Sequence, residues 1–476
     1  MRDLFLILFL LTFILVSFRY AYFMALGYLW IDFLQPQRLA YYVFSQLPVA
    51  MIMGVGALLA FIFFDKDKRI RFSTLQALLL LLLIYQTMAT FGWAALPAAA
   101  AVKWDWVFKA LAFSLFLPFV LTTRVRIDAA LAVILFSTAA ITVSAGAKTA
   151  LGSSGYGTLS LLVNNNTGIY EQSTLVTVAT AFVPLLWWFY GHNGFFKKSK
   201  LTFLIAAGIT FSFLIITIGT EARTGLVAIA VMAVIFWWRS SKKALIAGLI
   251  AAVGIGSVPF LPESFTERMS TITDPTTDMS ASTRLAMWEW TIDYVRGNML
   301  GGGFNVNKTS KIETEVVSRT GTEGAMDVSS RTFIEQGRGF HSSYFEVLGE
   351  FGIPGFLLWM TIVFMFYLTT RSIYRKNKKV HAEMDEDDPE RELFEWAMSF
   401  GRAASIFVPT YMTGSLFVGI AFQPPFWHIM ALTVSVNALM SEKRAARAAL
   451  AAKEIEEKSR QRRQVGRGEP GQLAPA

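Results

Sequence analysis

The sequence predicts an all-α, polytopic integral membrane protein with about 12 membrane-spanning helices and one large polar loop. Of its 476 residues, 54% are hydrophobic and only 16% are charged, whereas about a quarter of the residues in a soluble protein are charged. The mean hydropathy is +0.47. Apolar runs of helical length recur along most of the chain, without the alternation that is typical of an outer-membrane barrel.

The apolar runs define the expected spans. The first run is either one long tilted helix or two short helices that meet at Arg19, so the expected total is about 12 or 13. Residues 4–18 resemble a signal peptide, but Arg19 opens a poor cleavage site and apolar sequence continues beyond it, so we expect an uncleaved span. The predicted spans are 3–34, 43–64, 73–96, 104–122, 127–146, 172–191, 201–219, 222–238, 244–260, 344–370, 398–420 and 423–440.

Basic residues predict the orientation, because short cytoplasmic loops are enriched in Lys and Arg. Every second loop is rich in these residues, and both termini are expected inside if the first segment crosses once. The net charge of +9 then reflects orientation signals, and no nucleic-acid partner is expected. The base-rich segments are 66–71, 124–126, 197–200, 239–243, 371–379 and the tail from 443, whereas the intervening short loops carry only Arg38, Lys103, Lys148 and Arg223.

This topology divides the chain into five parts. Within the large loop, 283–296 has an amphipathic helical period and 305–337 is expected to be a flexible lid or loop. The acidic cluster 385–388 reads as a solvated linker, and 441–463 as a surface helix near anionic lipids, followed by disorder from Gln464. The parts are N-terminal transmembrane helices (1–150), core transmembrane helices (151–260), a large periplasmic loop (261–342), C-terminal transmembrane helices (343–440) with a cytoplasmic insert (371–395), and a cytoplasmic basic tail (441–476).

His341 is the histidine that this topology places at the outer mouth of the helix bundle. Ser343 and Glu346 form a capping-box pattern, which predicts that a helix starts within two residues of His341. A helix N-terminus attracts anions, and a histidine beside it could act as a base near neutral pH. Taken alone, however, a single histidine there is more often a cap or packing residue. His428 is expected to hydrogen-bond between helices.

Two arginines lie on the same side of the predicted membrane. Arg223 stands at the outer end of a span, where it either pairs with Glu221 or binds an anion. Arg284 opens the amphipathic segment, where a surface salt bridge is the simpler reading. Together with His341, these arginines form a candidate diphosphate site, because guanidinium groups bind phosphate oxygens in pairs and stay charged.

Further polar residues are candidates for contacts with glycan or acceptor: Asn164, Asn166, Glu171, Ser342 and Glu346. The asparagines could equally form a turn before a helix, and Glu346 could cap its own helix. The chain has no cysteine, which excludes thiolate chemistry, and it shows neither a metal-ligand constellation nor a nucleotide-binding glycine loop. We therefore expect no metal or cofactor, and the energy for a reaction must come from the substrate.

Three motifs follow one another along the chain: Arg223-Thr-Gly225, Arg284-Leu-Ala-Met-Trp288 leading into Gly301-Gly-Gly-Phe-Asn305, and His341-Ser-Ser-Tyr-Phe-Glu-Val-Leu-Gly-Glu-Phe-Gly352. Their order resembles the O-antigen ligase/polymerase superfamily of bacterial membrane proteins. In addition, Met1–Phe5, Asp32–Pro36 and Asn165–Glu171 resemble the O-glycosylation ligases associated with the exosortase A system.

The resemblance implies a metal-independent, GT-C-like glycosyltransferase of the bacterial inner membrane with its active site facing the periplasm. Such proteins move a glycan from undecaprenyl diphosphate to an acceptor hydroxyl on lipid A core, a protein or another surface molecule. By resemblance, His341 activates the acceptor, and Arg223 and Arg284 hold the donor diphosphate. The family histidine is usually followed by Asn, so Ser342 leaves one role open. A polymerase of lipid-linked repeats, a lipid-linked glycan transporter and a non-catalytic scaffold remain alternatives.

Overall fold

The computed structural model describes residues 2–68, 70–152, 168–257, 261, 279–320 and 327–465. Asn164 and Asn166 lie outside the described residues, as does the tail from residue 466. The helices are α1 (Arg2–Ser17), α2 (Phe23–Leu34), α3 (Pro36–Leu39), α4 (Val43–Gln46), α5 (Val49–Phe63), α6 (Thr74–Gly92), α7 (Pro97–Val120), α8 (Arg124–Ala150), α9 (Gln172–His192), α10 (Lys200–Gly219), α11 (Arg223–Arg239), α12 (Lys243–Ser257), α13 (Met279–Gly297), α14 (Ser343–Ala382), α15 (Arg391–Gly414) and α16 (Pro424–Val465).

Five of the described helices are long and apolar enough to cross a membrane. They are Thr74–Gly92, Arg124–Ala150, Gln172–His192, Lys200–Gly219 and Ser343–Ala382. Shorter apolar helices include α2 and α5. These helices agree with the predicted all-α membrane protein, while the total of 12 or 13 spans stays a prediction.

The first apolar run forms two short antiparallel helices rather than one long helix. The ring of Trp30 on α2 lies 4.9 Å from that of Phe9 and 5.8 Å from that of Phe13 on α1, measured between centroids. The turn between the helices includes Tyr22, whose ring lies 5.1 Å from the guanidinium of Arg126 at the start of α8. Two aromatic side chains of α1 therefore pack against one of α2, so the helices lie side by side and the chain reverses direction at the turn.

This reversal changes the predicted position of the chain start. The Asp3 carboxylate accepts hydrogen bonds from the N–H groups of Tyr41 and Tyr42, each at 2.9 Å, which lie beyond the end of α2. The end of α2 is fixed in turn by Tyr170, whose hydroxyl donates to the carbonyl of Leu34 at 2.7 Å. The sequence predicts both chain termini on the same side of the membrane only if the first apolar run crosses once. Because this run forms two antiparallel helices, that condition is not met.

The helices run between two ends of the bundle. One end, here called the pocket end, gathers the turns at 93–96, 168–171, 220–222 and 415–423 together with the described part of the loop before Ser343. The opposite end carries ion pairs between distant segments. Those pairs join Arg126 to Asp65, Arg71 to Glu442, Lys443 to Glu390 and Arg447 to Asp388. These pairs bring three of the base-rich segments (66–71, 124–126 and the tail from 443) together at one end, while the side of the membrane stays a prediction.

The amphipathic segment of the large loop is helix α13, which extends over the predicted 283–296. Its buried side chains follow a four-residue spacing: Thr283, Met287, Thr291 and Val295. They pack with Phe340 and other apolar side chains next to the start of α14. The predicted apolar face is confirmed, except that Trp288 stays half-buried at its edge.

The described parts of 305–337 contain regular secondary structure, which the sequence did not predict, while its role as a lid stays a prediction. Val306–Thr309 is a 3₁₀ turn, and strands β1 (Lys311–Thr320) and β2 (Asp327–Gln336) pair as an antiparallel hairpin. The register runs from Lys311 opposite Gln336 to Thr320 opposite Asp327. The segment is rich in Thr, Ser and Val, and its β-branched residues favour extended backbone even where polarity hides an alternating pattern.

Helix α14 is broken near its start. Gly352 has φ 61° and ψ −164°, which separates Ser343–Phe351 from the long remainder of the helix. The break releases backbone carbonyls from the helical pattern. Those of Gly349 and Glu350 accept from the N–H groups of Gly302 (3.1 Å) and Gly303 (2.8 Å). The regular helix is thereby interrupted, and the glycine triplet of the loop docks against the carbonyl groups at the break.

The predicted insert 371–395 and the tail extend the helices beside them. Helix α14 continues to Ala382. Asp385, Glu386 and Asp387 are exposed, in agreement with a solvated cluster, whereas Asp388 lies 2.7 Å from Arg447 on α16. The predicted surface helix 441–463 is the continuation of α16, which runs unbroken from Pro424 to Val465. Alternating Ala, Glu, Lys and Arg are strong helix formers, which explains the continuity.

Candidate active site

A cavity of about 530 Å³ opens at the pocket end. It brings together residues from three distant parts of the chain, since its walls come from residues 103–174, 221–346 and 417–423. Its lining includes all three members of the predicted diphosphate site. The lining side chains that matter below are Lys103, Glu171, Arg223, Thr224, Arg284, Asn305, His341, Glu346 and Gln423.

His341 lies at the cavity wall immediately before α14. Its backbone φ is +48°, a value that non-glycine residues rarely adopt. The preceding residue is anchored, because Phe340 is buried and its carbonyl accepts from the indole N–H of Trp288 at 3.0 Å. The ring of Trp288 in turn stacks on Phe345 in the first turn of α14. The histidine is therefore held in a strained conformation by its neighbours on both sides.

The surroundings of His341 favour its neutral form. The surrounding protein removes bulk water, which lowers the pKa of His341, and the positive charges of Arg284 and Arg338 lower that pKa further. The negative charge of Glu171 acts in the opposite direction. A neutral imidazole can accept a proton, so this environment suits a general base.

The helix beside His341 starts where the sequence predicted, at Ser343, but the predicted capping box is wrong. The hydroxyl of Ser343 donates to the carbonyl of Val418 and accepts from the N–H of Ile420, each at 2.9 Å. Glu346 instead contacts Lys103 at 2.6 Å. Tertiary partners thus replace the local cap. Ser342 is buried behind His341, outside the cavity lining.

Arg223 and Thr224 form the first turn of α11, and both line the cavity. The N-cap residue of this helix is Ala222, whose side chain cannot satisfy the first N–H groups. The start of a helix carries partial positive charge, and here it coincides with a guanidinium group. This combination is suited to phosphate oxygens.

Arg284 reaches the same cavity from α13. Its helix is anchored by the buried neighbours Thr283 and Met287. Further along the same helix, the carboxylate of Asp293 pairs with Arg296 at 2.7 Å. The positive charge of Arg284 is one of the causes, after desolvation, that lower the pKa of His341. The structure therefore gathers His341, Arg223 and Arg284 around one cavity, as the sequence predicted.

Glu171 lines the cavity as the N-cap of α9. Its carboxylate accepts from the N–H groups of Ser173 and Thr174, so it neutralises the start of its own helix. Glu171 therefore places negative charge near His341, although its carboxylate oxygens already accept hydrogen bonds from its own helix. The other candidates from the same segment, Asn164 and Asn166, lie outside the described residues.

Lys103 is the main residue that the sequence analysis did not identify. Its ammonium group lies 2.6 Å from Glu346 and 2.7 Å from Glu350, and only 12% of its side chain is exposed. The one signal available in the sequence is that Lys103 falls in a predicted outer loop with few basic residues, although the structure places it within α7. Asn305 and Gln423 also line the cavity unpredicted.

Backbone strain is concentrated at the cavity. Four non-glycine residues of the described chain have positive φ: Gln35, Glu221, Asn305 and His341. All but Gln35 line the cavity. Strained backbone costs free energy and persists where the surrounding structure holds it, often at functional sites.

The remaining histidines lie elsewhere. His428 is fully buried in the bundle, where it contacts Ser114 and Asp32, each at 2.8 Å, which confirms a role in hydrogen bonding between helices. His192 and His381 belong to the opposite end. No group of three or more His, Cys, Asp and Glu side chains that could hold a metal occurs in the part of the chain described above.

Comparison with known proteins divides the chain in two. Residues 1–194 match a family of unknown function (DUF5935), and residues 208–360 match the family described as O-antigen ligase. No curated protein and no solved structure matched the chain. The second region contains Arg223, Arg284 and His341. The apolar helices indicate a multi-pass membrane protein. The family match supports an activity of the ligase or polymerase type, that is, glycosyl transfer. The chain therefore carries an O-antigen ligase family domain at residues 208–360.

Proposed function

We propose that this protein transfers a glycan from undecaprenyl diphosphate to an acceptor hydroxyl at the periplasmic face of the bacterial inner membrane. The observation that carries the proposal is the shared cavity of His341, Arg223 and Arg284. A base and two permanent cations around one space match the needs of a reaction that deprotonates an alcohol and releases a diphosphate.

The donor diphosphate binds between Arg223, Arg284 and the start of α11. Negative charge grows on the diphosphate as its bond to the sugar breaks, so positive groups at this position stabilise the transition state more than the ground state. Guanidinium groups suit this role because they present paired donors and stay charged at any physiological pH. The energy of the reaction comes from the glycosyl diphosphate bond of the donor.

His341 accepts the proton of the acceptor hydroxyl. The acceptor oxygen then forms a bond to the anomeric carbon while the carbon–oxygen bond to the diphosphate breaks. The proton leaves His341 for solvent, and undecaprenyl diphosphate departs with its electron pair. Direct displacement inverts the anomeric configuration, and NMR of the product linkage tests this: retention relative to the donor would exclude it.

The opposite wall of the cavity supplies hydrogen-bonding groups for the glycan or acceptor. Glu346 faces the cavity, and we assign it and the neighbouring Asn305 to contacts with hydroxyl groups. Glu171 contributes charge near His341. The acceptor is lipid A core, a protein or another surface molecule, and the likeness of the N-terminal half to O-glycosylation ligases keeps a protein among these candidates.

The proposal is tested by transfer with the purified protein in lipid, using extracted undecaprenyl-diphosphate glycan and the candidate acceptors. His341→Ala, Arg223→Ala and Arg284→Ala are compared with the wild type. Arg296→Ala is the matched control, because Arg296 lies on the same helix as Arg284 but is exposed and paired with Asp293. Transfer that is lost in the three site variants and kept in the control supports the proposal.

The same assay separates the alternatives. Growth of the lipid-linked chain without a distinct acceptor identifies a polymerase. Translocation of the lipid-linked glycan without a new glycosidic bond identifies a transporter. Unchanged transfer in His341→Ala would exclude His341 as the general base. Arg223→Lys and Arg284→Lys refine the donor site: they keep the charge but lose paired donation, so donor affinity is expected to fall by about tenfold.

A further inference from the structure

We propose that Lys103 is a positioning residue for glycan transfer, supplied by the region that matches only a family of unknown function. It holds the helical segment Ser343–Phe351, and through it His341, in the geometry that the reaction needs. This inference rests on the proposed function for its kinetic consequence. Its structural part, the clamping of one segment by one lysine, is measurable separately.

The clamp consists of one ammonium group between two carboxylates. The Nζ atom of Lys103 donates to Oε1 of Glu346 at 2.6 Å and to Oε1 of Glu350 at 2.7 Å. Glu350 also accepts from the N–H of Asn305 at 2.8 Å. The exposed fractions of the three charged side chains are 12%, 10% and 0%. Because two buried carboxylates one turn apart repel each other, the ammonium group determines whether this turn is stable.

The segment Ser343–Phe351 depends on such outside anchors. The break at Gly352 ends its continuity with the long part of α14. Its last carbonyl groups accept from outside the helix, including that of Phe351 from the Tyr85 hydroxyl at 3.0 Å. A helix this short has little stability of its own, so its position follows from its tertiary contacts.

Several of these anchors lead back to the turn between α6 and α7. The N–H of Ala95 donates to the carbonyl of Gly302 at 2.8 Å, and the amide of Asn305 donates to the carbonyl of Ala99 at 2.7 Å. The glycine triplet is thus held on one side by the N-terminal region and on the other by Gly349 and Glu350. Lys103, one turn further along α7, adds a direct charged link between the two regions.

The link matters for chemistry because Arg223 and His341 belong to different helical segments. Arg223 starts α11, whereas His341 directly precedes the clamped segment. If the segment shifts, the distance between the base and the bound diphosphate changes. A misplacement of about 1 Å is enough to cost about 100-fold in rate.

A single substitution would not separate positioning from simple charge compensation, because Lys103→Met strands two buried carboxylates. The double variant Lys103→Met/Glu350→Gln resolves this. It leaves one carboxylate and no ammonium, so the net charge of the cluster equals that of the wild type while the link between α7 and α14 is gone. Lys103→Arg keeps both the charge and the donors. Lys109→Met is the matched control, since Lys109 forms an exposed pair with Asp105 on the same helix.

The experiment measures three quantities in lipid nanodiscs: kcat for transfer of extracted undecaprenyl-diphosphate glycan, the affinity for undecaprenyl diphosphate, and hydrogen exchange of peptides that cover 340–351. For Lys103→Met and for the double variant, we expect kcat to fall about 100-fold with donor affinity retained. Exchange should become faster in 340–351 and stay unchanged in the other helices. Lys103→Arg should recover most of the rate, and Lys109→Met should resemble the wild type.

Three results would overturn the inference. If the double variant keeps the wild-type kcat, then Lys103 only compensates the charge of the carboxylates and does not position the segment. An affinity for undecaprenyl diphosphate that falls as much as kcat would make Lys103 part of the donor site. Unchanged exchange in 340–351 would show that it clamps nothing. If the wild type transfers no glycan, the proposed function fails, yet the exchange comparison still decides whether Lys103 holds the segment.

Discussion

The rings of Trp288 and Phe345 lie face to face, with 4.8 Å between their centroids and 4° between their planes. Trp288 follows Arg284 by one helical turn, and Phe345 lies in the first turn of the helix that His341 precedes. The stack therefore joins the helix of the arginine to the helix of the histidine. It fixes one proposed phosphate ligand relative to the proposed base.

Trp288→Ala is expected to lower kcat for transfer by about tenfold, because it removes a stack that contributes about 1 kcal/mol and leaves the Phe340 carbonyl without its donor. Trp288→Phe keeps the stack and should retain more activity. Trp290→Ala is the control, since Trp290 stacks on Tyr294 of its own helix. Transfer assays that rank Trp290→Ala below Trp288→Ala would contradict this account.

The pH dependence of transfer should report His341. A general base works when deprotonated, so kcat/KM should rise with pH through the pKa of His341 and then level off. Because desolvation and the charge of Arg284 lower that pKa, the midpoint is expected below the ordinary histidine value of about 6.5. A midpoint above that value would contradict the proposed environment.

Two substitutions should move this midpoint in opposite directions. Arg284→Gln removes a positive charge that lowers the pKa of His341, so the midpoint should shift to higher pH. Glu171→Gln removes a negative charge that raises it, so the midpoint should shift to lower pH. The shape of the pH profile is compared rather than its height, because Arg284→Gln also weakens donor binding. Shifts of equal sign would rule out direct electrostatic control.

The sequence predicted the proposed base and both arginines because each carries a local signal. His341 precedes a helix start, Arg223 stands at the outer end of an apolar run, and Arg284 opens an amphipathic period. What it missed depends on contacts between distant segments. The charge pair of Lys103 and Glu350 joins residues far apart in the chain, and the Ser343 hydroxyl takes tertiary partners although its local pattern indicates a cap.

The fold shows the same division. Apolar runs predicted the helices, but polarity concealed the hairpin Lys311–Gln336, and charge composition did not reveal that the tail continues α16. The reversal at Arg19 was one of two open alternatives, because no sequence rule fixes whether a long apolar run bends. Packing of Trp30 against Phe9 decides it.

Gly352→Ala is expected to be strongly destabilising. The residue has φ 61° and its missing side chain leaves room for the carbonyl of Met299, so a methyl group meets both strain and a clash. We expect a loss of at least about 2 kcal/mol in the free energy of unfolding, seen as a lower melting temperature in detergent. Gly208→Ala is the control, because nothing lies within 4 Å of a methyl group there. Equal melting temperatures for the two variants would contradict the assigned role of the break.

His428→Ala should affect stability rather than chemistry. His428 contacts Ser114 and Asp32 across three helices, and it is fully buried. Its removal takes one partner from the buried Ser114 hydroxyl, which still donates to the Ala110 carbonyl, and one from the Asp32 carboxylate, and we expect this to cost about 1–3 kcal/mol in total. We expect a lower melting temperature with kcat per folded molecule close to that of the wild type. A loss of kcat at unchanged melting temperature would instead indicate a functional proton path.

The origin of the cavity-lining residues has a consequence for how such proteins evolve. Lys103 and Glu171 come from one matched region, whereas Arg223, Arg284 and His341 come from the other. The proposed base and arginines lie in one region, but the cavity wall is built by both, so the boundary near residue 200 does not separate independent modules. Chimeras that exchange the first 194 residues between diverged relatives should insert into the membrane yet work poorly, unless the residues facing each other across the cavity are exchanged together. Selection is therefore expected to act on the two regions as one inherited unit.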